Sequence, residues 1–201
     1  MKPAIPDHAG DPEGGASIVN VANGLTLARV ICVPVLAWLL WLSTIDGDDA
    51  RWWAAVVFVV ASITDLLDGA LARRYDLVTS FGKIADPIAD KALTAVALIG
   101  LSLLGDLAWW VTIVILGREI AVTILRFWVI EHGVIPASRG GKLKTVTQMV
   151  AITMYLMVVP WAWWSTLAGI VMLVAVLLTV VTGFDYAGRA LALRRRESAR
   201  V

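Results

Sequence analysis

Long apolar segments, each of a length that can cross a lipid bilayer, constrain this chain more than any other feature. A bilayer-spanning helix needs about 20 mostly apolar residues. Of the 201 residues, 59% are hydrophobic and 16% are charged, whereas about a quarter of the residues of a soluble domain are charged. We therefore expect an all-α integral membrane protein with six transmembrane helices, near residues 24–44, 52–73, 86–104, 107–130, 143–160 and 161–189. Proline cannot continue a helical hydrogen-bond ladder, which favours a turn near Pro160.

The basic residues are distributed unevenly between the two ends of these segments. Cytoplasmic loops of membrane proteins are enriched in Lys and Arg. Of the 17 basic residues, only Arg51 falls on the side of the first, third and fifth connections. Both termini are therefore predicted to be cytoplasmic. Residues 1–17, rich in Gly, Pro, Asp and Ala, are interpreted as a disordered tail, residues 18–190 as the six-helix membrane domain, and residues 191–201 as a basic cytoplasmic tail.

The composition also argues against several kinds of site. With one cysteine, Cys32, no disulfide can form within the chain, and with two histidines a zinc site of Cys and His is not expected. The net charge of +1 gives no indication of nucleic-acid binding, and none is predicted. Tryptophans gather at the predicted outer ends of the segments, as in the aromatic belt of a bilayer interface: Trp52, Trp53, Trp109, Trp110, Trp161, Trp163 and Trp164.

Four aspartates lie where transmembrane segments should be apolar, and charged residues at such positions are functional hypotheses by default. Asp65 and Asp68 are spaced i, i+3 at the inner end of the second segment, so they share one helix face. Asp86 and Asp90 are spaced i, i+4 at the inner start of the third. All four are expected to converge near the cytoplasmic surface, where such close charges require protonation or bound cations. Their oxygens suit two Mg²⁺ or Mn²⁺ ions that assist phosphoryl transfer.

The residues around the aspartates admit two readings. Gly69 allows a ligand to approach the backbone closely, and Arg73 is placed to meet a phosphate. Asp86-Pro87, in contrast, reads as a helix N-cap followed by the proline favoured at the first helical position. The alternative for the whole group is a set of carboxylates that reach the aqueous surface or form salt bridges.

In chain order these residues read Asp65-x2-Asp68-Gly69-x2-Ala72-Arg73-x8-Gly82-x3-Asp86-x3-Asp90. This pattern resembles the signature of the CDP-alcohol phosphotransferase family at all eight of its positions. The resemblance implies that family's fold, a multi-pass homodimer in the cell membrane, and an active site that faces the cytoplasm. It implies that the four aspartates hold two divalent cations and that Asp90 is also the general base for the acceptor hydroxyl. It further implies that CDP-diacylglycerol contacts Gly69, Ala72, Arg73 and Thr79.

Basic residues later in the chain bear on the alcohol that accepts the transferred group. Arg118, Glu119 and Arg126 fall within the fourth segment, and Arg139-Gly140-Gly141-Lys142-x-Lys144 follows it. Such cations beside the metals would suit an acceptor that itself carries a phosphate. The alternatives are an internal salt bridge of Arg118 or Arg126, for example with Glu119 or with one of the four aspartates, and ordinary cytoplasmic loop charge.

These basic stretches resemble bacterial phosphatidylglycerophosphate synthases, as do Gly141-Lys142-x-Lys144-Thr145-x-x-Gln148 and Asn23-x-Leu25-Thr26-x-x-Arg29. The resemblance implies sn-glycerol 3-phosphate as the acceptor. It implies that Thr26 and Arg29 add contacts to CDP-diacylglycerol, and that the acceptor phosphate is bound by Arg118, Arg139, Lys142 and Lys144. Cardiolipin synthases and enzymes of the inositol-phosphate type share the aspartates and stay open as alternatives. A cation transporter is disfavoured, because its carboxylates would more naturally lie at the bilayer midplane.

Overall fold

The computed structural model describes residues 21–75, 80–129 and 139–198, and every regular element in these ranges is a helix. Each predicted segment corresponds to one helix, so the expected all-α architecture is confirmed. The break near Pro160 is confirmed too, since the fifth helix ends before it and the sixth begins after it. The helices are α1 (Val21–Asp46), α2 (Asp48–Tyr75), α3 (Ser80–Leu103), α4 (Trp109–Val129), α5 (Arg139–Leu156) and α6 (Ala162–Ser198).

Two helix boundaries differ from the expected ones by six residues or more. α3 begins at Ser80, six residues before Asp86, so the interpretation of Asp86-Pro87 as a helix start is wrong. Serine is itself a preferred residue at a helix N-terminus. A proline removes one helical hydrogen bond without requiring that the helix begin beside it. α6 continues to Ser198, into the segment that the charge pattern assigned to the basic tail.

Apolar side chains from all six helices form one buried core. α1 packs against α2 and α3, and α6 packs against α4 and α5. Apolar side chains also cover much of the outer surface, as the exposed Trp38, Ile113, Ile124 and Phe184 illustrate. Helices that are apolar on both their inner and outer faces are typical of membrane proteins. The core contains Leu36, Phe58, Leu93, Leu98, Leu101, Ile115, Ile152 and Leu156, each less than 2% exposed.

Among the described helices, two contain stretches that are long and apolar enough to cross a membrane. These stretches are Leu27–Asp46 in α1 and Ala162–Ala192 in α6. A third apolar stretch, Lys91–Leu103 in α3, is shorter. The chain therefore has the character of a membrane protein.

Arg51 brings three of the helix connections to one end of the bundle. It lies at the start of α2, and its Nη1 atom donates a hydrogen bond to the Asp106 carboxylate in the turn between α3 and α4. Its Nη2 atom also donates to the backbone carbonyl of Tyr155, near the end of α5, at 2.7 Å. The turns that follow α1, α3 and α5 therefore share one end, which we call the Arg51 end.

Backbone geometry and aromatic contacts complete the Arg51 end. Gly47 and Gly105, in the turns after α1 and α3, have φ values of 71° and 82°, a left-handed conformation that favours glycine. The rings of Trp161 and Trp163 stack with centroids 5.5 Å apart. The Trp164 indole N–H donates to the Met154 carbonyl at 3.1 Å. These tight connections fix the ends of neighbouring helices against one another.

Candidate functional site

The aspartate motif occupies two contacting helices at the end of the bundle opposite to Arg51. Asp65 and Asp68 lie in the second half of α2, and Asp86 and Asp90 lie in the first half of α3. The described side chains form no group of three or more His, Cys, Asp and Glu that could hold a metal. The aspartate side chains are outside that set. Also outside the described residues are the whole of Thr79 and the side chains of Thr26, Ala72, Arg73 and Arg139.

A cavity of about 180 Å³ lies between α2, α3, α4 and α5. Ser62 lines it from α2, three residues before Asp65, and Thr94 lines it from α3, four residues after Asp90. Residues three or four apart share a helix face, so the cavity lies one turn from the aspartate positions, toward the Arg51 end. Its polar lining residues are Ser62, Lys91, Thr94, Glu119, Lys144, Thr145 and Gln148.

The carboxylate of Glu119 links cations from two helices at this cavity. The buried ammonium group of Lys144, on α5, donates a hydrogen bond to Oε1 of Glu119, on α4. Arg118 Nη1 lies 3.2 Å from the same oxygen atom. Lys91 also belongs to the cavity lining. Three cations thus lie in or beside the cavity, where each can donate charge-assisted hydrogen bonds to an anionic ligand.

Lys91 is attached to the same network through α4. Its ammonium group donates to the Thr123 hydroxyl, and this hydroxyl donates to the backbone carbonyl of Glu119 at 2.7 Å. The two cavity lysines thus approach α4 from different sides, Lys91 from α3 and Lys144 from α5.

Arg118 extends from α4 toward α6 rather than lining the cavity. Its Nη2 atom donates to the Thr182 hydroxyl at 3.0 Å. A Cβ atom added at Gly183 would lie 3.1 Å from Arg118 Cγ, so the absence of a side chain there makes room for the arginine. Among the described contacts, the one that connects Arg118 to the cavity lining runs through Glu119. The salt bridge between Arg118 and Glu119, which the sequence left as the alternative to phosphate binding, is present.

The remaining basic residues of the expected site occupy different environments. The Lys142 and Arg126 side chains are exposed on α5 and α4. Arg29, on α1, is 1% exposed and is the largest of the fully buried side chains. Among the described side chains that were expected to bind the acceptor phosphate, Lys144 lines the cavity, whereas Arg118 and Lys142 do not.

Sequence reasoning assigned no role to two residues that line this cavity. Lys91 directly follows Asp90, and Gln148 lies one turn after Lys144. Gln148 is 5% exposed, and its Oε1 atom is buried with no hydrogen-bond partner among the described residues. Two features of the sequence could have indicated that Gln148 belongs to the site. It is spaced i, i+4 from Lys144, and it lies in the same basic motif.

Comparisons with known proteins agree on one family. Residues 19–181 match the family model described as CDP-alcohol phosphatidyltransferase. A Mycobacterium tuberculosis protein named probable phosphatidylglycerophosphate synthase is 52% identical over 184 residues, covering 92% of this chain and 88% of the relative. A Bacillus subtilis protein named CDP-diacylglycerol–glycerol-3-phosphate 3-phosphatidyltransferase is 39% identical over 180 residues, covering 83% and 93%. An Escherichia coli protein of the same name is 38% identical over 184 residues, covering 86% and 96%.

Proposed function

Because this chain belongs to the CDP-alcohol phosphatidyltransferase family, we propose that it transfers the phosphatidyl group of CDP-diacylglycerol to sn-glycerol 3-phosphate. The products are phosphatidylglycerophosphate and CMP. Three of its relatives carry names that specify a phosphatidylglycerophosphate synthase or a glycerol-3-phosphate phosphatidyltransferase. The observation that carries the choice of a phosphorylated acceptor is the buried Lys144 in a cavity one turn from the aspartate positions.

The transfer is a displacement at phosphorus. The terminal hydroxyl oxygen of the acceptor forms a bond to the lipid-side phosphorus, and the bond from this phosphorus to the oxygen that bridges it to CMP breaks. Asp90 takes the proton of the attacking hydroxyl, and CMP leaves with the bridging oxygen. A base within hydrogen-bond reach of such a hydroxyl contributes about 10²–10⁴-fold to a rate.

Asp65, Asp68, Asp86 and Asp90 would hold two Mg²⁺ or Mn²⁺ ions. The fit rests on an all-oxygen donor set, which these ions prefer, and on the placement of the two pairs on contacting helices. When bound, the ions supply Lewis-acid stabilisation of the charge on the phosphate oxygens. CDP-diacylglycerol would be held beside them by Gly69, Ala72, Arg73, Thr79, Thr26 and Arg29.

The acceptor phosphate would be bound by Lys144 together with Arg118, Arg139 and Lys142. In the structure, the Lys144 ammonium is already oriented by Glu119 at the cavity. An incoming phosphate would offer Lys144 and Arg118 a second anionic partner, and charge-assisted hydrogen bonds of this kind are about twice as strong as neutral ones. Arg139 and Lys142, at the start of α5, would meet the phosphate as it enters.

All six helices would cross the cell membrane, with both termini and the aspartates on the cytoplasmic side. Residues 1–17 would form a disordered tail and residues 191–201 a basic cytoplasmic end beyond the catalytic domain of residues 18–190. The enzyme would act as a homodimer. The location of the turns after α1, α3 and α5 at the Arg51 end supports helices that alternate in direction.

Acceptor-dependent release of CMP tests this function directly. Purified protein in lipid vesicles, supplied with Mg²⁺ and CDP-diacylglycerol, should release CMP and form phosphatidylglycerophosphate only when sn-glycerol 3-phosphate is added. Asp86→Asn and Asp90→Asn should each lower the rate by at least about 100-fold. Asp185→Asn removes an exposed carboxylate of α6 and should leave the rate unchanged.

Two results would contradict the proposal. Formation of cardiolipin from phosphatidylglycerol, without phosphatidylglycerophosphate, would reject the acceptor. Full turnover by either aspartate variant would remove that residue from its assigned role.

A further inference from the structure

We propose that the amide of Gln148 binds the non-reacting hydroxyl of the phosphorylated acceptor and so selects a polyol phosphate over a simple alcohol phosphate. This inference rests on the proposed transfer to glycerol 3-phosphate and adds a specificity-determining residue to it. Gln148 lies on α5, one helical turn from Lys144, and lines the same cavity.

The Gln148 side chain contains a buried polar atom that is not hydrogen-bonded to any described residue. It is 5% exposed, and its Oε1 atom has no hydrogen-bond partner among the described residues. Leaving a buried acceptor unsatisfied costs folding free energy, so such atoms are rare in native proteins and require an explanation. A ligand hydroxyl that donates to this oxygen would satisfy it, and the amide N–H₂ group can donate in return.

The cavity lining defines the chemistry of that ligand. Lys91 and Lys144 can donate charge-assisted hydrogen bonds to an anionic group, while the Ser62 and Thr94 hydroxyls add polar contacts. Positions four apart on a helix lie about 6 Å from one another. A three-carbon phosphate can therefore place its phosphate at Lys144 and its middle hydroxyl at Gln148. Because Gln148 lies one turn farther from the aspartate end than Lys144, the terminal hydroxyl on the neighbouring carbon must turn across the cavity toward α2 and α3 to react there.

The test compares two acceptors that differ by the middle hydroxyl alone. These are sn-glycerol 3-phosphate and 3-hydroxypropyl phosphate, and both retain the phosphate and the reacting hydroxyl. For the wild-type protein we expect kcat/KM to be about 10- to 100-fold lower with the analogue. For Gln148→Met, which keeps the length of the side chain, kcat/KM with glycerol 3-phosphate should fall to about the level of the analogue. The analogue itself should be used about equally well by both proteins.

A stability measurement separates this role from a purely structural one. Replacing an unsatisfied buried amide by an apolar group of similar shape is nearly neutral or stabilising. The thermal midpoint of substrate-free Gln148→Met in detergent should therefore equal or exceed that of the wild type. A structural glutamine would lower the midpoint when replaced.

Two further variants keep the test decisive. Thr147→Val is the matched control, because Thr147 adjoins Gln148 but is absent from the described lining of the cavity. Its hydroxyl donates to the Leu143 carbonyl of its own helix at 2.9 Å. Thr147→Val should keep the wild-type preference. Gln148→Asn retains the amide on a side chain that is one methylene shorter. Its preference for glycerol 3-phosphate over 3-hydroxypropyl phosphate should be at least about threefold lower than that of the wild type. This variant tests the inference if Gln148→Met does not fold.

Failure of this inference and failure of the proposed function give different experimental results. If the wild-type protein uses both acceptors equally, or if the folded Gln148 variants keep its preference, then ordered water rather than the acceptor satisfies the amide and the inference is overturned. If the wild-type protein forms no product from glycerol 3-phosphate, the proposed function itself fails, and the inference fails with it.

Discussion

Glu119 is a single side chain whose carboxylate contacts two cations, Lys144 and Arg118. Its removal leaves positive charge in a largely buried setting, whereas removal of Lys144 still leaves Arg118 beside Glu119. We therefore expect Glu119→Gln to reduce the free energy of unfolding by about 1–3 kcal/mol, and Lys144→Met to reduce it by less. A double-mutant cycle for the two substitutions, measured by reversible unfolding in mixed micelles, should give a coupling energy of about 1 kcal/mol or more.

Asp185 and Arg189 provide the matched control pair for this cycle. They form a salt bridge at 3.1 Å with side chains that are 45% and 50% exposed. Solvent screens such a pair, so its coupling energy should be about 0.3–0.5 kcal/mol or less. Equal coupling energies for the two pairs would show that burial at the cavity does not strengthen the contact between Glu119 and Lys144.

The packing of α4 against α6 depends on a glycine that leaves space for a charged side chain. A Cβ atom at Gly183 would meet Arg118 Cγ at 3.1 Å and Nε at 3.4 Å. Gly183→Ala should therefore displace the arginine from Thr182 and lower kcat/KM for the acceptor if Arg118 binds its phosphate. Overpacking of this kind costs about 1–3 kcal/mol, which should offset the gain from replacing a helical glycine.

Gly188→Ala on the same helix measures the gain from replacing a helical glycine without the cost of overpacking. No atom lies within 4 Å of a Cβ added there, so the substitution should stabilise the helix by about 0.5–1 kcal/mol. Thermal unfolding and acceptor kinetics of both variants check the comparison. If Gly183→Ala raises the free energy of unfolding as much as Gly188→Ala does, then Arg118 moves away from position 183 without loss of stability.

The helices could be predicted from the sequence because apolar length and proline placement are local properties. The expected break at Pro160 was found for this reason. The start of α3 was misplaced, since Asp86-Pro87 matches a helix N-terminus locally although the helix already continues from Ser80. A local pattern cannot show that the preceding turn is helical as well.

The cavity could be predicted only in part. The aspartates and the basic stretches are visible as charges in apolar segments. In contrast, Lys91 and Gln148 acquire their roles from the way in which α3, α4 and α5 pack together. In a bundle whose helices are apolar on several faces, hydrophobic periodicity does not distinguish a face toward lipid from a face toward protein. Arg118 was expected to bind the acceptor phosphate directly. In the structure its guanidinium donates to Thr182 on α6 instead, a contact that the sequence pattern does not reveal.

The whole molecule combines a charge asymmetry with an alternation of helix direction. The turns at the Arg51 end contain Asp46, Asp48, Asp49 and Asp106, and the arginine there is paired with the last of these. The opposite end holds the aspartate motif and most of the Lys and Arg residues. Because cytoplasmic loops are the basic ones, the catalytic end should face the cytoplasm, where a soluble phosphorylated acceptor is available.

Labelling of single cysteines tests this orientation. Cys32 is the one native cysteine, so Cys32→Ala gives a cysteine-free background. Asp48→Cys and Ala108→Cys should react with a membrane-impermeant maleimide from outside intact cells, because both positions are exposed in turns or at a helix start of the Arg51 end. Ala137→Cys and Arg200→Cys should react only after permeabilisation. The reverse pattern would place the aspartates outside the cell, and labelling of all four from one side would show that the helices do not span the membrane.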